Sequence, residues 1–311
     1  TLYFIMIIFL MNGIIQIATF LLLISYYDKA KESINSIMNF DVSIRGESVS
    51  LYRINEIINY GNNALKLDGM IHNDEISGII EFQNVSFKYG KIPILKKISF
   101  VAKPNQVTTI IGKTGTGKST IFNLLLRLYK VDSGKILIDN LNIYDYSKDV
   151  YKSNISIVNQ KTFIFNMSIK SNLSLIDSNK KRQINACKRV GIHDFIMSLP
   201  DGYNTILKED ATNISGGQKQ LLSLARALLT TSEIILLDEV TSSLDPNTTN
   251  KIIMLLDDLK TDHTLIVITH NKDIMKATDK LIVLNNGKIE CTGKHEDLIK
   301  NNEFYRQLYN K

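Results

Sequence analysis

The chain has 311 residues and a formal net charge of +6, and 44% of its residues are hydrophobic and 22% charged. A chain of this length is expected to form about two domains and can bury a full hydrophobic core. The composition excludes a collagen-like protein, a low-complexity protein and a disulfide-stabilised scaffold. Cys187 and Cys291 lie too far apart in the sequence to form a metal-binding motif, so we expect free thiols.

The segment 1–27 carries no charged side chain. About 20 apolar residues cross the hydrocarbon core of a bilayer, so the segment is long enough for a membrane span. It lacks the basic start and the cleavage site of a signal peptide. Two arrangements fit the sequence. One is a single helix from about Leu2 to Tyr27; the other is a hairpin at the turn dipeptide Asn12-Gly13, with the second helix beginning near Ile15.

Charged residues begin at Asp28, and residues 28–60 have helical periodicity. Their apolar positions include a single stripe of Ile37, Ile44, Leu51 and Ile58. This pattern predicts a polar continuation of the membrane helix that packs on partner helices; an amphipathic surface helix is the alternative. Residues 61–77, which begin with Gly61-Asn62-Asn63, are predicted to form a linker.

Residues 78–311 have the pattern of an α/β domain. Loose alternation of apolar residues over 79–89 predicts an antiparallel strand. The short apolar runs 234–237 and 265–268, joined by a predicted helix over 248–260, are typical of buried parallel strands. The excess of basic residues favours phosphate ligands or an anionic membrane surface, but solubility and base composition explain it at least as well. No block of like charges indicates a nucleic-acid-binding arm, so we expect no nucleic acid partner.

A phosphate-binding motif follows the predicted strand 107–111 and opens a predicted helix. Its glycines let successive backbone N–H groups face phosphate oxygens, and the start of the helix adds a partial positive charge. The motif predicts that Lys118 binds the β- and γ-phosphates and that Ser119 binds Mg²⁺. Its residues are Gly112, Lys113, Thr114, Gly115, Thr116, Gly117, Lys118 and Ser119, followed by Thr120.

Two carboxylates, Asp238 and Glu239, end the apolar run 234–237. A parallel strand would deliver them to the sheet edge where the phosphate loop lies. We expect Asp238 to hold Mg²⁺ and Glu239 to act as the general base for an attacking water. Many strands end in Asp or Glu, so this assignment depends on the phosphate loop.

Several further residues are candidates for ligand binding only when they are considered together with the motifs above. Gln160 and His270 each follow a predicted strand, on the edge that binds ligands in parallel sheets. Ser215, Gly216, Gly217 and Gln218 precede or open a helix and form a potential anion site, although an ordinary helix cap explains them equally well. Tyr89 is either a ring that stacks on adenine or a packing residue at the end of a strand.

Taken in order, these residues resemble the motifs of the ATP-binding cassette (ABC) ATPases throughout 78–311. The resemblance implies that Gln160 contacts Mg²⁺, that 214–218 is the signature motif, and that His270 contacts the γ-phosphate. Asp245 matches the acid of the D-loop, and Tyr89 the adenine-stacking aromatic. It also implies the fold: a P-loop NTPase of the ABC type, with an antiparallel β subdomain and a helical subdomain, preceded by transmembrane helix segments.

The upstream part resembles the end of an exporter membrane domain, so we predict three regions: 1–60, the linker 61–77, and the nucleotide-binding domain 78–311. The resemblance implies ATP and Mg²⁺ as ligands, a second half-transporter as partner, and a multi-pass location in a bacterial cell membrane with the ATPase in the cytoplasm. It also implies export of a drug, lipid or peptide, driven by head-to-tail pairing of two cassettes.

Two other functions are weighed against this prediction. A soluble ABC-type ATPase acting on DNA would separate its two ATP motifs by hundreds of coiled-coil residues, whereas here about 120 residues lie between Ser119 and Asp238. A non-catalytic regulatory cassette is disfavoured because Glu239 and His270 are both present.

Overall fold

A computed structural model of the chain describes residues 2–64, 69–72, 76–240 and 246–310. The chain divides into two compact units, Thr1–Lys66 and Leu67–Lys311. The three predicted regions, 1–60, 61–77 and 78–311, stay predictions, because this division by contacts does not test their functional boundaries.

The first unit contains two helices, α1 (Leu2–Met11) and α2 (Ile17–Ala64). Between them the chain turns at Asn12-Gly13, where Gly13 has a φ of 68° and its N–H donates to the carbonyl of Leu10. The structure therefore has the hairpin rather than a single helix over the apolar segment, and the second helix begins two residues later than expected. Within the described part of the chain, none of the helices combines the length and apolar character needed to cross a bilayer.

The second unit is built from ten strands and ten further α-helices among its described residues. The strands are β1 (Ile80–Tyr89), β2 (Ile92–Ala102), β3 (Val107–Gly112), β4 (Ser133–Ile138), β5 (Leu141–Asn142), β6 (Ile155–Val158), β7 (Ile234–Asp238), β8 (Thr264–Ile268), β9 (Lys280–Asn285) and β10 (Lys288–Gly293). The helices are α3 (Lys118–Leu125), α4 (Lys148–Ser153), α5 (Ile169–Ser174), α6 (Lys180–Arg189), α7 (His193–Ser198), α8 (Gly216–Leu228), α9 (Pro246–Leu259), α10 (Lys272–Ala277), α11 (His295–Asn301) and α12 (Glu303–Asn310).

The strands form two sheets. The smaller is antiparallel, in the order β2-β1-β4-β5, as the alternation over 79–89 predicted. The larger has the order β10-β9-β3-β8-β7-β6, in which β9, β3, β8, β7 and β6 are parallel and β10 is an antiparallel edge. The predicted α/β core with an antiparallel β portion is confirmed.

The central parallel strands are buried on both faces, which explains their continuous apolar sequence. Because side chains alternate along a strand, each strand contributes to two cores. Ile235 and Leu237 join a cluster that includes residues of helices α5 to α9, whereas Ile234 and Leu236 join a cluster with the antiparallel sheet and α3. A smaller third cluster surrounds Tyr305 of α12.

Parallel pairing brings the carboxyl ends of four neighbouring strands to one edge of the larger sheet. Across this edge Ile110 of β3 pairs with Ile268 of β8, which pairs with Asp238 of β7. The phosphate loop, His270, the Asp238-Glu239 pair and Gln160 all follow these strand ends. The fold therefore collects motifs that lie up to about 160 residues apart in the sequence.

Truncation of Leu236 tests the central role of β7. This side chain is fully buried, so Leu236→Ala should lower the free energy of unfolding by about 2–5 kcal/mol through lost burial and a residual cavity. Urea denaturation followed by circular dichroism measures the change. The matched control is Met254→Ala on α9, where the side chain is 74% exposed and a change within about 0.5 kcal/mol is expected. Equal losses in both variants would contradict the assigned core.

Candidate nucleotide-binding site

The phosphate loop connects the end of β3 to the start of α3. Gly117 caps α3 with a φ of 103°, a conformation that residues with a side chain rarely adopt. A Cβ atom there would lie 2.7 Å from the Leu95 side chain, so a larger residue would also displace β2. Both constraints explain why the motif has glycine at this position.

The Lys118 side chain folds back over the loop and is only 7% exposed. Its Nζ donates to the carbonyl oxygen of Gly112 at 2.9 Å and to that of Lys113 at 3.1 Å. The Thr116 hydroxyl donates to the same Lys113 oxygen at 2.9 Å. Burial lowers the pKa of Lys118, while the nearby Glu239 and Asp238 carboxylates act in the opposite direction. The loop therefore holds a partly desolvated ammonium group among carbonyl oxygens.

The two predicted carboxylates lie beside this lysine. Burial and the neighbouring Glu239 raise the pKa of Asp238, whereas a hydrogen bond from Ser119 and the charge of Lys118 oppose the rise. The Ser119 hydroxyl and the Asp238 carboxylate thus meet, and both are oxygen ligands of the kind that Mg²⁺ prefers. The described residues contain no group of three or more acidic, His or Cys side chains able to hold a metal. A Mg²⁺ site made of a few protein oxygens together with phosphate oxygens fits this arrangement.

Glu239 is the centre of a second set of contacts. Its Oε2 accepts a hydrogen bond from Gln160 Nε2 at 2.5 Å, and its Oε1 lies 3.4 Å from His270 Nε2. The three residues predicted to be catalytic are therefore in direct contact. The backbone of Glu239 has a φ of 50°, which is unusual for this residue type, and its N–H donates to the Ile268 carbonyl at 2.8 Å. Such strained positions are concentrated at functional sites.

His270 is about half exposed, at 48% of its side chain. Its pKa is lowered by desolvation and by the positive charge of Lys118, against the opposing effect of Glu239. A lowered pKa keeps the imidazole neutral at pH 7. Neutral His270 can donate one hydrogen bond and accept another.

A cavity of about 470 Å³ lies between the phosphate loop and the Gln160 and Glu239 side chains. Its lining also includes Ile94 of β2. Sequence reasoning did not identify Ile94, whose only signal is its position next to Leu95, the residue that contacts Gly117. The lining residues are Ile94, Thr114, Gly115, Gly117, Lys118, Ser119, Thr120, Gln160 and Glu239.

Tyr89 does not line this cavity and belongs to an aromatic cluster beside it. Its ring makes edge-to-face contacts with Phe87 and Tyr129, at centroid distances of 4.8 Å and 5.0 Å. Its hydroxyl accepts a hydrogen bond from Asn123 Nδ2 at 3.2 Å. Asn123 lies on α3, so the tyrosine is tied to the helix that follows the phosphate loop. An adenine-stacking role for the half-buried ring stays a prediction.

The predicted signature motif forms a separate feature. Ser215 caps α8 in a capping box: its N–H donates to Gln218 Oε1 at 2.7 Å, and the Gln218 N–H donates to Ser215 Oγ at 3.2 Å. Neither these residues nor Gly216 and Gly217 line the cavity at the phosphate loop. Asp245, with the rest of 241–245, lies outside the described residues.

Comparison with known proteins supports the interpretation of this region as a nucleotide-binding domain. The family described as ABC transporter matches residues 95–242. A putative multidrug export ATP-binding/permease protein of Bacillus subtilis is 33% identical over 305 residues, which cover 97% of this chain and 53% of the relative. An ATP-dependent lipid A-core flippase of Haemophilus influenzae is 38% identical over 249 residues, which cover 78% of this chain and 42% of the relative. A solved structure of a bacterial Atm1-family ABC exporter with ATP bound matches with a TM-score of 0.73 and 31% identity, over 78% of this chain and 43% of that one.

The chain spans about half the length of the curated relatives that it matches. The matched range 95–242 contains the phosphate loop, Gln160, the 214–218 motif and Glu239. The predicted fold class and the predicted ATPase domain are confirmed by these matches. The chain therefore carries, over residues 95–242, the ATP-binding ATPase domain of the ABC transporter family.

Proposed function

We propose that this chain supplies the ATP-hydrolysing domain of a dimeric ABC exporter. The observation that carries the proposal is the position of Glu239. Its carboxylate lines the same cavity as Lys118 and is held there by Gln160 and near His270. A site with a phosphate-binding lysine on one side and a positioned base on the other is suited to hydrolysis of a nucleoside triphosphate.

In the proposed reaction, the phosphates of ATP lie along the backbone N–H groups of the loop 112–119. Lys118 exchanges its carbonyl partners, Gly112 and Lys113, for phosphate oxygens. A water between Glu239 and the γ-phosphate attacks phosphorus, and Glu239 Oε accepts its proton while the bond to the ADP oxygen breaks. Gln160 orients the Glu239 carboxylate, and His270 donates a hydrogen bond to the γ-phosphate.

Mg²⁺ is proposed as the cofactor. When bound, it would neutralise part of the phosphate charge. Ser119, Asp238 and Gln160 are the residues of this chain that would hold it, because the Ser119 and Asp238 oxygens meet beside the loop and Gln160 lines the same cavity. A bound cation would favour the charged form of Asp238, which burial disfavours.

The signature motif supports a second proposal, that two cassettes pair head to tail. Ser215, Gly216 and Gly217 stand at the positive end of the 13-residue helix α8, yet they do not line the cavity around Lys118. In our proposal they bind the ATP held by the phosphate loop of a second chain. The assignment of Asp245 as the acid of the D-loop stays a prediction. Each ATP then joins two cassettes, and its hydrolysis releases them.

We also propose that the assembly is a multi-pass transporter of the bacterial cell membrane, with the cassette in the cytoplasm. Support comes from the names of the relatives, which include a multidrug export protein and a lipid A-core flippase. The partner would be a second half-transporter, identical or similar to this chain. Drugs, lipids and peptides all remain within the proposed range of substrates.

The substitution Glu239→Gln tests the proposed base. Glutamine keeps the shape and the contact with Gln160 but cannot accept the proton, so the ATPase rate should fall at least about 100-fold while ATP still binds. Phosphate release measures the rate, and isothermal titration measures the dissociation constant for ATP. With ATP and Mg²⁺, size-exclusion chromatography in detergent should detect an ATP-dependent dimer of the variant.

The matched control is Glu233→Gln, just before the amino end of the same strand and outside the cavity. Its ATPase rate should equal that of the wild type. Hydrolysis by Glu239→Gln at the wild-type rate would rule out Glu239 as the base.

Lys118→Ala should weaken ATP binding about tenfold or more, because the buried ammonium is the phosphate contact. Lys135→Ala, at an exposed position of the antiparallel sheet, removes the same charge elsewhere and should leave the dissociation constant unchanged. Isothermal titration compares the two variants. An unchanged affinity for ATP in Lys118→Ala would contradict the assigned contact.

The electrostatics of His270 make a separate prediction. In the nucleotide-free chain its pKa should lie below the ordinary value of 6.5, because desolvation and Lys118 both disfavour the charged imidazole. Glu239→Gln removes the one group that opposes them and should lower the pKa further. NMR titration of the His Cε1–H signals, assigned with His270→Gln, gives the value. A pKa above 6.5, or a rise in Glu239→Gln, would be inconsistent with this arrangement.

A further inference from the structure

The helix α12 places two aromatic rings against two lysines beside the candidate site, one in the phosphate loop and one at the start of α10. Lys113 of the phosphate loop has its Nζ 5.8 Å from the ring centroid of Phe304. Lys272, two residues after His270, has its Nζ 5.5 Å from the ring centroid of Tyr309. Both distances fall within the range in which an ammonium group is attracted to the face of an aromatic ring. One helix therefore contacts both sides of the site.

A buried tyrosine anchors α12 to the body of the domain. Tyr305 is fully buried and packs in one cluster with Ile111, the residue that directly precedes the phosphate loop. Its hydroxyl lies 2.6 Å from His295 Nδ1 at the start of α11. Phe304 and Tyr309 are thus presented from a helix that is fixed on the strand leading into the loop.

The contact of Phe304 with Lys113 leads directly to the phosphate-binding lysine. The carbonyl oxygen of Lys113 accepts hydrogen bonds from Lys118 Nζ at 3.1 Å and from the Thr116 hydroxyl at 2.9 Å. A side-chain contact that restrains Lys113 therefore restrains the backbone group against which Lys118 is positioned.

The contact of Tyr309 with Lys272 leads to the other side of the site. Lys272 is the first residue of α10, whose cap Asn271 accepts hydrogen bonds from the N–H groups of Asp273 and Ile274. His270 immediately precedes this cap and lies 3.4 Å from Glu239. One turn further along α10, Lys276 lies near the Tyr309 hydroxyl, which raises the pKa of the Lys276 ammonium. Tyr309 therefore holds α10 at two positions and fixes the start of the helix that follows His270.

We propose that α12 braces the nucleotide site, with Phe304 as a positioning residue for the phosphate loop and Tyr309 as one for His270. The inference rests on the proposed function, because it assigns separate effects to ATP binding and to hydrolysis. Phe304 acts through Lys113 on the ground-state contacts of the phosphates. Tyr309 acts through α10 on a residue that contacts the γ-phosphate during the reaction.

Each contact is partly exposed, so each variant should have a moderate effect. Phe304→Leu keeps an apolar side chain but removes the ring face, and should raise the dissociation constant for ATP about twofold to fivefold with little change in kcat. Tyr309→Leu should lower kcat by a similar factor with little change in ATP affinity. Isothermal titration with Mg-ATP and steady-state phosphate release, on the full chain in detergent, measure the two quantities.

A double-mutant cycle separates positioning from general packing. In a Lys113→Met background, Phe304→Leu should have no further effect on ATP affinity, because the ammonium partner is already absent. Phe304→Tyr keeps an aromatic ring and should therefore bind ATP with the wild-type affinity. Leu308→Ala is the matched control, because it removes packing from the same helix and cluster. It should change thermal stability, but it should not change ATP affinity and kcat independently of one another.

The inference is overturned if Phe304→Leu binds ATP as tightly as the wild type, if its effect persists in the Lys113→Met background, or if Leu308→Ala reproduces it. A wild-type chain that binds ATP without hydrolysing it would overturn the proposed function alone. In that case the affinity cycle at Lys113 and Phe304 would still decide whether α12 positions the phosphate loop.

Discussion

The parallel register of β3, β8, β7 and β6 is the constraint on which the candidate site depends. Ile110, Ile268 and Asp238 lie level with one another across three neighbouring strands, so the loops that follow begin at the same edge. A slip of one residue along β7 would turn Asp238 to the opposite face and disrupt both apolar cores. The apolar packing that stabilises the sheet therefore also sets the distance between the phosphate loop and the carboxylates.

The charged groups at this edge of the sheet only partly stabilise one another. Burial disfavours the charge on Lys118 and on Asp238, and the two residues offset one another only in part. Glu239 adds an unusual backbone conformation and a close contact with Gln160. A polyphosphate with its cation would supply charges of both signs to these groups. Because these charges would stabilise the partly buried groups, the site is better suited to a nucleotide than to water alone.

Two parts of the chain extend the site beyond the cavity itself. The 214–218 motif is a well-capped helix start that does not line the cavity of its own chain, which agrees with a role toward a second ATP. The helix α12 contacts the phosphate loop and α10 through aromatic rings. The first feature supports the proposed pairing of two cassettes, and the second supports the proposed positioning role of α12.

The sequence by itself determined the motif residues, the fold class and the identity of the chemistry, because phosphate binding requires particular residue types at fixed local spacing. It left open whether the apolar segment turns at Asn12-Gly13, since hydropathy is the same for a hairpin and for one helix. Only the tertiary structure decided that Gln160 and His270 both contact Glu239, that Ile94 lines the cavity, and that Phe304 faces Lys113. These contacts join residues far apart in the chain, and no local pattern encodes them, because they arise from strand register and core packing.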